Sequence, residues 1–387
     1  MGKSSLQREL DKYFKELSDE DFNIRKVTKS AFTQSRRDLK PEAFLELNDL
    51  VIKDFYEDAP YLGYNNHRVL SVDSTDVLLP NHSETISEFG QAGYGPNGDS
   101  QKVMGRVSML YDCANYLTLD VQLSSLSTNE RELMLNHLNK MAPNDLVLAD
   151  RGYPSLFVFF TLHSKGVQFC IRMKENWWNQ VRVFRESNQD QEQIELVLSD
   201  TQLEQYREQY PDIEQTIKCR LIKVYLDNGV TEILCTSLLD EQIYPFEDFK
   251  ELYQLRWGIE EGYKMFKCRA EVEAFTGKTP IAIRQDIFAK VFLMTLCAAY
   301  AFPIEEKVKK EYRQGERRKR SQKINRTNAL SFCKSIIIPI FVKNKVKDAI
   351  EAFDHNIYKT RELIRPGRSF PRKHRKKSPY YMNYKDL

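Results

Sequence analysis

The sequence predicts an α/β fold: a mixed sheet with flanking helices, interrupted by a β-rich insertion and carrying helical regions at both ends. Three observations predict it. Apolar, strand-like runs alternate with helix-like segments from Val69 to about residue 173. About 110 residues then separate Asp150, at the end of one such run, from Glu260, more than one helix and a strand require, so something is inserted. The segment around Glu260 repeats with a helical period.

The N-terminal region, 1–62, reads as helices at Ser5 to Leu17 and Pro41 to Tyr56. The second opens with Pro at an N1-like position and carries Phe44, Leu45, Leu47, Val51, Ile52 and Phe55. Between them Lys26, Lys29, Arg36, Arg37 and Lys40 interrupt a Ser/Thr-containing stretch, which suits either a polyanion-facing module or a packing extension of the core.

The first part of the core, 63–174, contains two runs that end in an acid, Arg68-Val-Leu-Ser-Val-Asp73 and Leu146-Val-Leu-Ala-Asp150, each followed by residues expected to break a strand. Alternation places Asp150 on the face of Leu146 and Leu148, and Asp73 on that of Val69 and Ser71. Acids there stand beyond the carboxyl ends of strands, where open α/β sheets hold their sites. The loop Glu88 to Gly105 has five glycines, but Gly93-Tyr-Gly-Pro-Asn-Gly98 is neither a P-loop nor a dinucleotide fingerprint. Val103 to Tyr111 and Tyr116 to Leu123 read as a hairpin turning at Ala114-Asn115. A helix from Thr128 to Met141, capped by Thr128 or Asn129, leads to the Asp150 strand. A helix at Ser155 to Ser164 and a strand at Val167 to Arg172 follow.

The insertion, 175–245, is β-rich: Ile217 to Leu226 and Thr231 to Leu238 flank Asp227-Asn-Gly229, a strong hairpin signal. The core resumes over 246–302. On one uniform helix with Tyr253 at zero, Arg256 falls near ~300°, Glu260 near ~340° and Lys267 near ~320°, a single polar ridge. Leu252, Leu255, Ile259, Tyr263 and Phe266 gather between about 200° and 280°, an apolar stripe that would press the helix onto the sheet. Glu261, near ~80°, points elsewhere. A carboxylate beside a guanidinium, an ammonium and a phenol suits a metal held next to a phosphodiester. Ile281 to Phe302 then reads as the last core helix. The remaining 303–387 is a basic helical region and tail, with Arg317-Arg-Lys-Arg320 and, near the end, Arg365, Arg368, Arg372, Lys373, Arg375, Lys376 and Lys377. Such clusters neutralise phosphates.

Composition sets the remaining bounds. The 387 residues allow one large core with appendages, or two to three domains, and a net charge of +3 means that attraction to phosphate must come from local clusters. The seven cysteines are dispersed, with no C-x-x-C pair, as reduced packing cysteines would be. No apolar signal core opens the chain and no run approaches the ~18 apolar residues of a membrane span, so a soluble, intracellular protein is expected. Zinc patterns, H-E-x-x-H and G-x-S-x-G elbows are missing, and the six histidines are scattered. Carboxylates with open positions suit Mg²⁺ or Mn²⁺ instead.

Taken together, Ser71-Val-Asp73-Ser-Thr, Leu148-Ala-Asp150-Arg-Gly-Tyr153 and Tyr253-x2-Arg256-x3-Glu260-x6-Lys267 resemble the DDE transposases of bacterial insertion sequences, and within them the YREK-signature group. The resemblance runs to about residue 300. It implies a ribonuclease-H-like core, whose order of three strands, helix, strand, helix, strand and acid-bearing helix agrees with the elements above. It further implies that Asp73, Asp150 and Glu260 are catalytic and hold Mg²⁺, with Mn²⁺ able to substitute, as two ions when DNA is bound. Tyr253, Arg256 and Lys267 become contacts to transposon-end DNA. The implied reaction is cleavage at transposon ends followed by attack of the freed 3′-hydroxyl on target DNA, with sequence-specific end binding and a synaptic dimer, in the bacterial cytoplasm at the nucleoid. In that setting the N-terminal region is a candidate DNA contact, Trp177 and Trp178 could stack on an unpaired base, and Arg372, Lys373, Arg375, Lys376 and Lys377 are expected to touch DNA. A nuclease of the same fold without strand transfer, and a domesticated, non-mobile DNA-binding regulatory protein, are the alternatives.

Overall fold

The computed structural model describes residues 5–94, 100–174, 178–227, 229–315 and 319–365. The chain forms two compact units, one from 58–76 and 105–263 and the other from 1–57, 77–104 and 264–387. In chain order the elements begin with α1 (Leu6–Leu17), α2 (Lys29–Ser35), α3 (Glu42–Asp58), β1 (Val69–Leu78), α4 (Ser83–Phe89), β2 (Gln91–Tyr94), β3 (Ser100–Asp112) and β4 (Leu117–Ser125). Next come α5 (Glu130–Asn136), β5 (Leu146–Ala149), α6 (Leu156–Ser164), β6 (Gln168–Arg172), α7 (Asn179–Glu186), β7 (Gln191–Val197), α8 (Asp200–Arg207), β8 (Thr216–Tyr225) and β9 (Thr231–Thr236). The chain continues through α9 (Asp248–Gln254), α10 (Gly258–Lys264), α11 (Pro280–Glu311), β10 (Gln322–Lys323), α12 (Arg326–Phe341), α13 (Val346–Lys359) and β11 (Glu362–Leu363).

The unit of 58–76 and 105–263 is built on strands ordered β4–β3–β1–β5–β6–β9–β8–β7. β1, β5 and β6 are parallel neighbours, with Val69 opposite Leu146, Ser71 opposite Leu148 and Leu148 opposite Cys170. β3 and β4 pair antiparallel. Three strands, α5, β5, α6, β6 and, after the insertion, the acid-bearing α10 reproduce the ribonuclease-H-like order. β5 is a fully buried four-residue strand, as a parallel strand covered on both faces should be. α6 is apolar almost throughout, and Val158 to Leu162 are buried. The insertion's strands lengthen the same sheet, because β9 pairs antiparallel with β6, joining Cys170 to Thr236 and Arg172 to Leu234. α9 then covers one face, where Phe249, Leu252 and Tyr253 pack with Val69, Leu146, Leu148, Cys170, Ile222 and Leu234.

Two sequence expectations need correction here. β1 does not end at Asp73 but continues to Leu78, because Thr75 and Val77 favour extended backbone. The region after β1 holds α4 and β2, which the glycine count of the loop concealed.

In the unit of 1–57, 77–104 and 264–387, β2 pairs antiparallel with the start of β3, Gln91 opposite Val103. Arg36 is spent inside this unit: its guanidinium donates to Gln285 Oε1 at 2.6 Å and Asp286 Oδ1 at 3.1 Å, so this member of the N-terminal basic stretch binds α11. α11 is capped by Thr279 and starts with Pro280. The expectation that no run approaches a membrane span is also corrected: by length and composition α11 is the one described helix that could cross a membrane, with 56% of its apolar stretch buried within the protein, as in a core helix.

Candidate active site

Strand register brings the first two acids together. Ser71 lies opposite Leu148 on parallel strands, so two residues further on Asp73 and Asp150 stand at the same level. The Ser71 hydroxyl ties the pair by donating to the Leu148 carbonyl at 3.0 Å. β5 stops at Ala149 because Asp150 folds into an Asx turn, its Oδ1 accepting from the Gly152 amide at 2.7 Å. Asp73 Oδ1 accepts from the Ser74 amide at 2.8 Å. Each carboxylate thus has one oxygen fixed by backbone.

The third acid arrives on α10, which approaches the sheet closely because it carries glycine on its inner face. A Cβ at Gly258 would meet Cys113 at 3.1 Å, and one at Gly262 would meet the Tyr111 ring at 3.0 Å. The helix is pinned by Tyr263, whose hydroxyl is 2.6 Å from the Asp73 carbonyl and 3.2 Å from that of Val107. Glu260, one turn earlier and more than a third exposed, is paired with Arg256 across 3.5 Å. Arg256 is 7% exposed, sits 5.0 Å over the Trp257 ring, and has a buried Nε with no hydrogen-bond partner among the described residues.

Electrostatics single out Asp73. Burial pushes its carboxyl up to about 6; the Ser74 amide opposes that, Asp150 adds to it, Arg256 opposes it, and Glu130 adds to it. Tyr153, 1% exposed, has its hydroxyl 3.5 Å from Ser74 Oγ. Its phenol is pushed well above the usual range, first by burial and then by Asp73, with Glu130 and Asp150 contributing. The region brings the carboxylates of Asp73, Asp150 and Glu130 within electrostatic reach of one another, and their donors are hard oxygens, which fits a divalent ion. Among the described residues, however, no three His, Cys, Asp or Glu side chains converge into a closed set. Glu260 is held by Arg256 instead.

Tyr253 is not on a polar ridge. It is 4% exposed in the core, and its hydroxyl donates to the carbonyl of Ala149, the residue before Asp150, at 3.2 Å. Leu255, expected in the apolar stripe, is 38% exposed. Tyr253 shares the buried face of α9 with Phe249 and Leu252, whereas Leu255 falls in a 3₁₀ turn at Leu255–Trp257; with a π turn at Met265–Arg269 as well, no uniform 100° step carries through to Lys267. Lys267 lies in that π turn, half-buried, in the other unit. Trp178 is half-buried and meets the Phe159 ring edge-on at 5.6 Å, which favours a packing role. Trp177, Arg372, Lys373, Arg375, Lys376 and Lys377 lie outside the described residues. Sequence reasoning missed Glu130, Tyr153 and Tyr263 as members of the site. The tyrosines sit within or beside the quoted motifs, whereas Glu130 looks like any acid in a helix's first turn.

A second constellation looks catalytic and is not placed to be. His137 Nδ1 lies 2.7 Å from Asp120 Oδ2, and its Nε2 lies 3.0 Å from Ser108 Oγ. Ser108 and His137 are fully buried, so this relay has no substrate access and anchors the end of α5 to the sheet.

Residues 64–297, well over half of the chain and spanning all three acids, match the transposase DDE domain family. The chain belongs to that family. It is 22% identical over 287 residues to the InsG transposase of insertion sequence element IS4 from Escherichia coli strain K12, covering 73% of this chain and 63% of that protein. It is 21% identical over 281 residues to the IS231E transposase of Bacillus thuringiensis subsp. finitimus, covering 62% of this chain and 57% of the relative. The chain thus spans about six-tenths of the length of the curated relatives it matches. A solved synaptic complex of piggyBac transposase with hairpin DNA covers 74% of this chain and 57% of its own at 11% identity and a TM-score of 0.40, too loose a likeness to argue from.

Proposed function

We propose that this member of the DDE transposase family is a DNA transposase that cleaves at transposon ends and transfers the 3′-hydroxyl into target DNA. The observation that carries the reading is the register that sets Asp73 beside Asp150, within a matched segment that also contains Glu260. Asp73, Asp150 and Glu260 would hold Mg²⁺, or Mn²⁺ in its place, as two ions when DNA is bound; bound there, the metal would activate the attacking oxygen and neutralise the leaving one.

The chain's own residues do the rest. Arg256, buried beside Trp257 with an unpartnered Nε, is preorganised to donate to a phosphate oxygen, and Glu260 is the group it would exchange for that contact. Tyr253 and Tyr263 act as positioning residues, one on the carbonyl before Asp150 and the other on that of Asp73. Lys267, the N-terminal basic residues and the tail would meet DNA through phosphate. The partners proposed are duplex DNA at transposon ends and target, with a dimer in the synaptic complex, working in the bacterial cytoplasm.

The test uses purified protein, Mg²⁺ and a labelled duplex of the inverted repeats that flank the gene. Asp73→Ala, Asp150→Ala and Glu260→Ala should each abolish cleavage while mobility-shift affinity for the duplex stays within a few-fold of the parent. Cleavage by Glu260→Ala but not by Glu261→Ala protein would overturn the assignment on α10.

A further inference from the structure

Glu130 opens α5, beyond the strand pair β3–β4, and is half-buried. A Cβ built on Gly152 would stand 3.0 Å from Asp150 Oδ1 and 3.7 Å from Glu130 Oε2, so the two carboxylate oxygens flank a position that has no side chain. α5 is not free to carry Glu130 away. Asn129 caps it by accepting from the Arg131 amide at 2.9 Å, Arg131 Nε donates to the Gly152 carbonyl at 3.2 Å, and the buried His137 relay fastens its far end. Among the described residues no hydrogen bond or ion pair engages the Glu130 carboxylate, although its charge is felt at Asp73, Tyr153 and Tyr263.

We propose that Glu130 is a further carboxylate of the active site, sharing with Asp150 the binding of a divalent cation. The inference rests on the transposase reading of the site. The competing account is that Glu130 merely favours the positive end of the α5 dipole, a role Glu132 in the same turn could fill equally.

Titration of the full chain with Mn²⁺, free of DNA and followed by calorimetry, separates the two. Glu130→Gln should weaken Mn²⁺ binding by about tenfold or more, whereas Glu132→Gln should leave it unchanged. Glu130→Asp, which keeps the charge on the helix but draws it back, should also bind Mn²⁺ more weakly while melting with the parent, which covers the case that the Gln variant folds poorly. If Glu130→Gln and Glu130→Asp both bind Mn²⁺ as the parent does while Asp150→Asn does not, the proposal is overturned and the transposase reading stands. A parent chain that takes up no Mn²⁺ would overturn the proposal alone, since the transposase reading places its ions with DNA bound and is tested by cleavage.

Discussion

At the scale of single residues, the site sets charge against burial. Asp73 has its carboxyl raised from an ordinary 3.8 to about 6, which corresponds to about 3 kcal/mol of disfavoured ionisation in the folded protein. Because the folded state holds the proton more tightly than the unfolded one, stability is lost as pH rises from about 4 to about 6. Asp73→Asn should therefore be more stable than the parent at pH 7.5 without divalent ions, with the advantage fading by pH 4, while cleavage is lost. Denaturant melts at the two pH values check this, and an Asn variant no more stable at pH 7.5 would refute it. The pairing of Asp73 with Asp150 was legible in the sequence because each acid follows an apolar, strand-forming run, although only β5 ends there and β1 continues past Asp73. The burial of Tyr253 was not, since it depends on which face of α9 the core covers, and Glu130 was masked by the ordinary preference for acids in a first turn.

At the scale of elements, local chemistry foretold what it controls. Ser5 and Asn129 cap their helices, and the chain turns at Asp227 between β8 and β9. The strands of the insertion join the main sheet because β6 offers an unpaired edge to β9, a fact about neighbours rather than about the segment itself. Helix α10 depends on close approach through Gly262. Gly262→Val should drive side-chain atoms into Tyr111, which is 4% exposed and has no room to retreat, costing about 1–3 kcal/mol by overpacking and displacing Glu260. The expected result is a lowered melting temperature and cleavage reduced more than DNA binding. A variant with parental stability and activity would show that the close packing does not set the position of Glu260.

At the scale of the whole molecule, each compact unit is assembled from separated stretches of chain, which no composition boundary revealed. The family assignment and the ribonuclease-H-like order were legible because three motifs occur in sequence at fixed spacings. The basic C-terminal end carries a different expectation: removing 365–387 should weaken binding to specific and random duplexes alike and flatten the salt dependence, since Lys and Arg contacts to phosphate carry little sequence information. Loss of end preference with retained affinity for random DNA would make the tail a reader of bases.

The central claim is that Asp73, Asp150 and Glu260 serve one centre that both cuts and joins. The most direct measurement offers pre-cut transposon-end duplex with a free 3′-hydroxyl, supercoiled plasmid and Mg²⁺ to the parent chain and to Asp150→Ala. The parent should join the duplex to the plasmid, and Asp150→Ala should bind the duplex but yield no joined product. Joining by Asp150→Ala, or hydrolysis without joining by the parent, would contradict it.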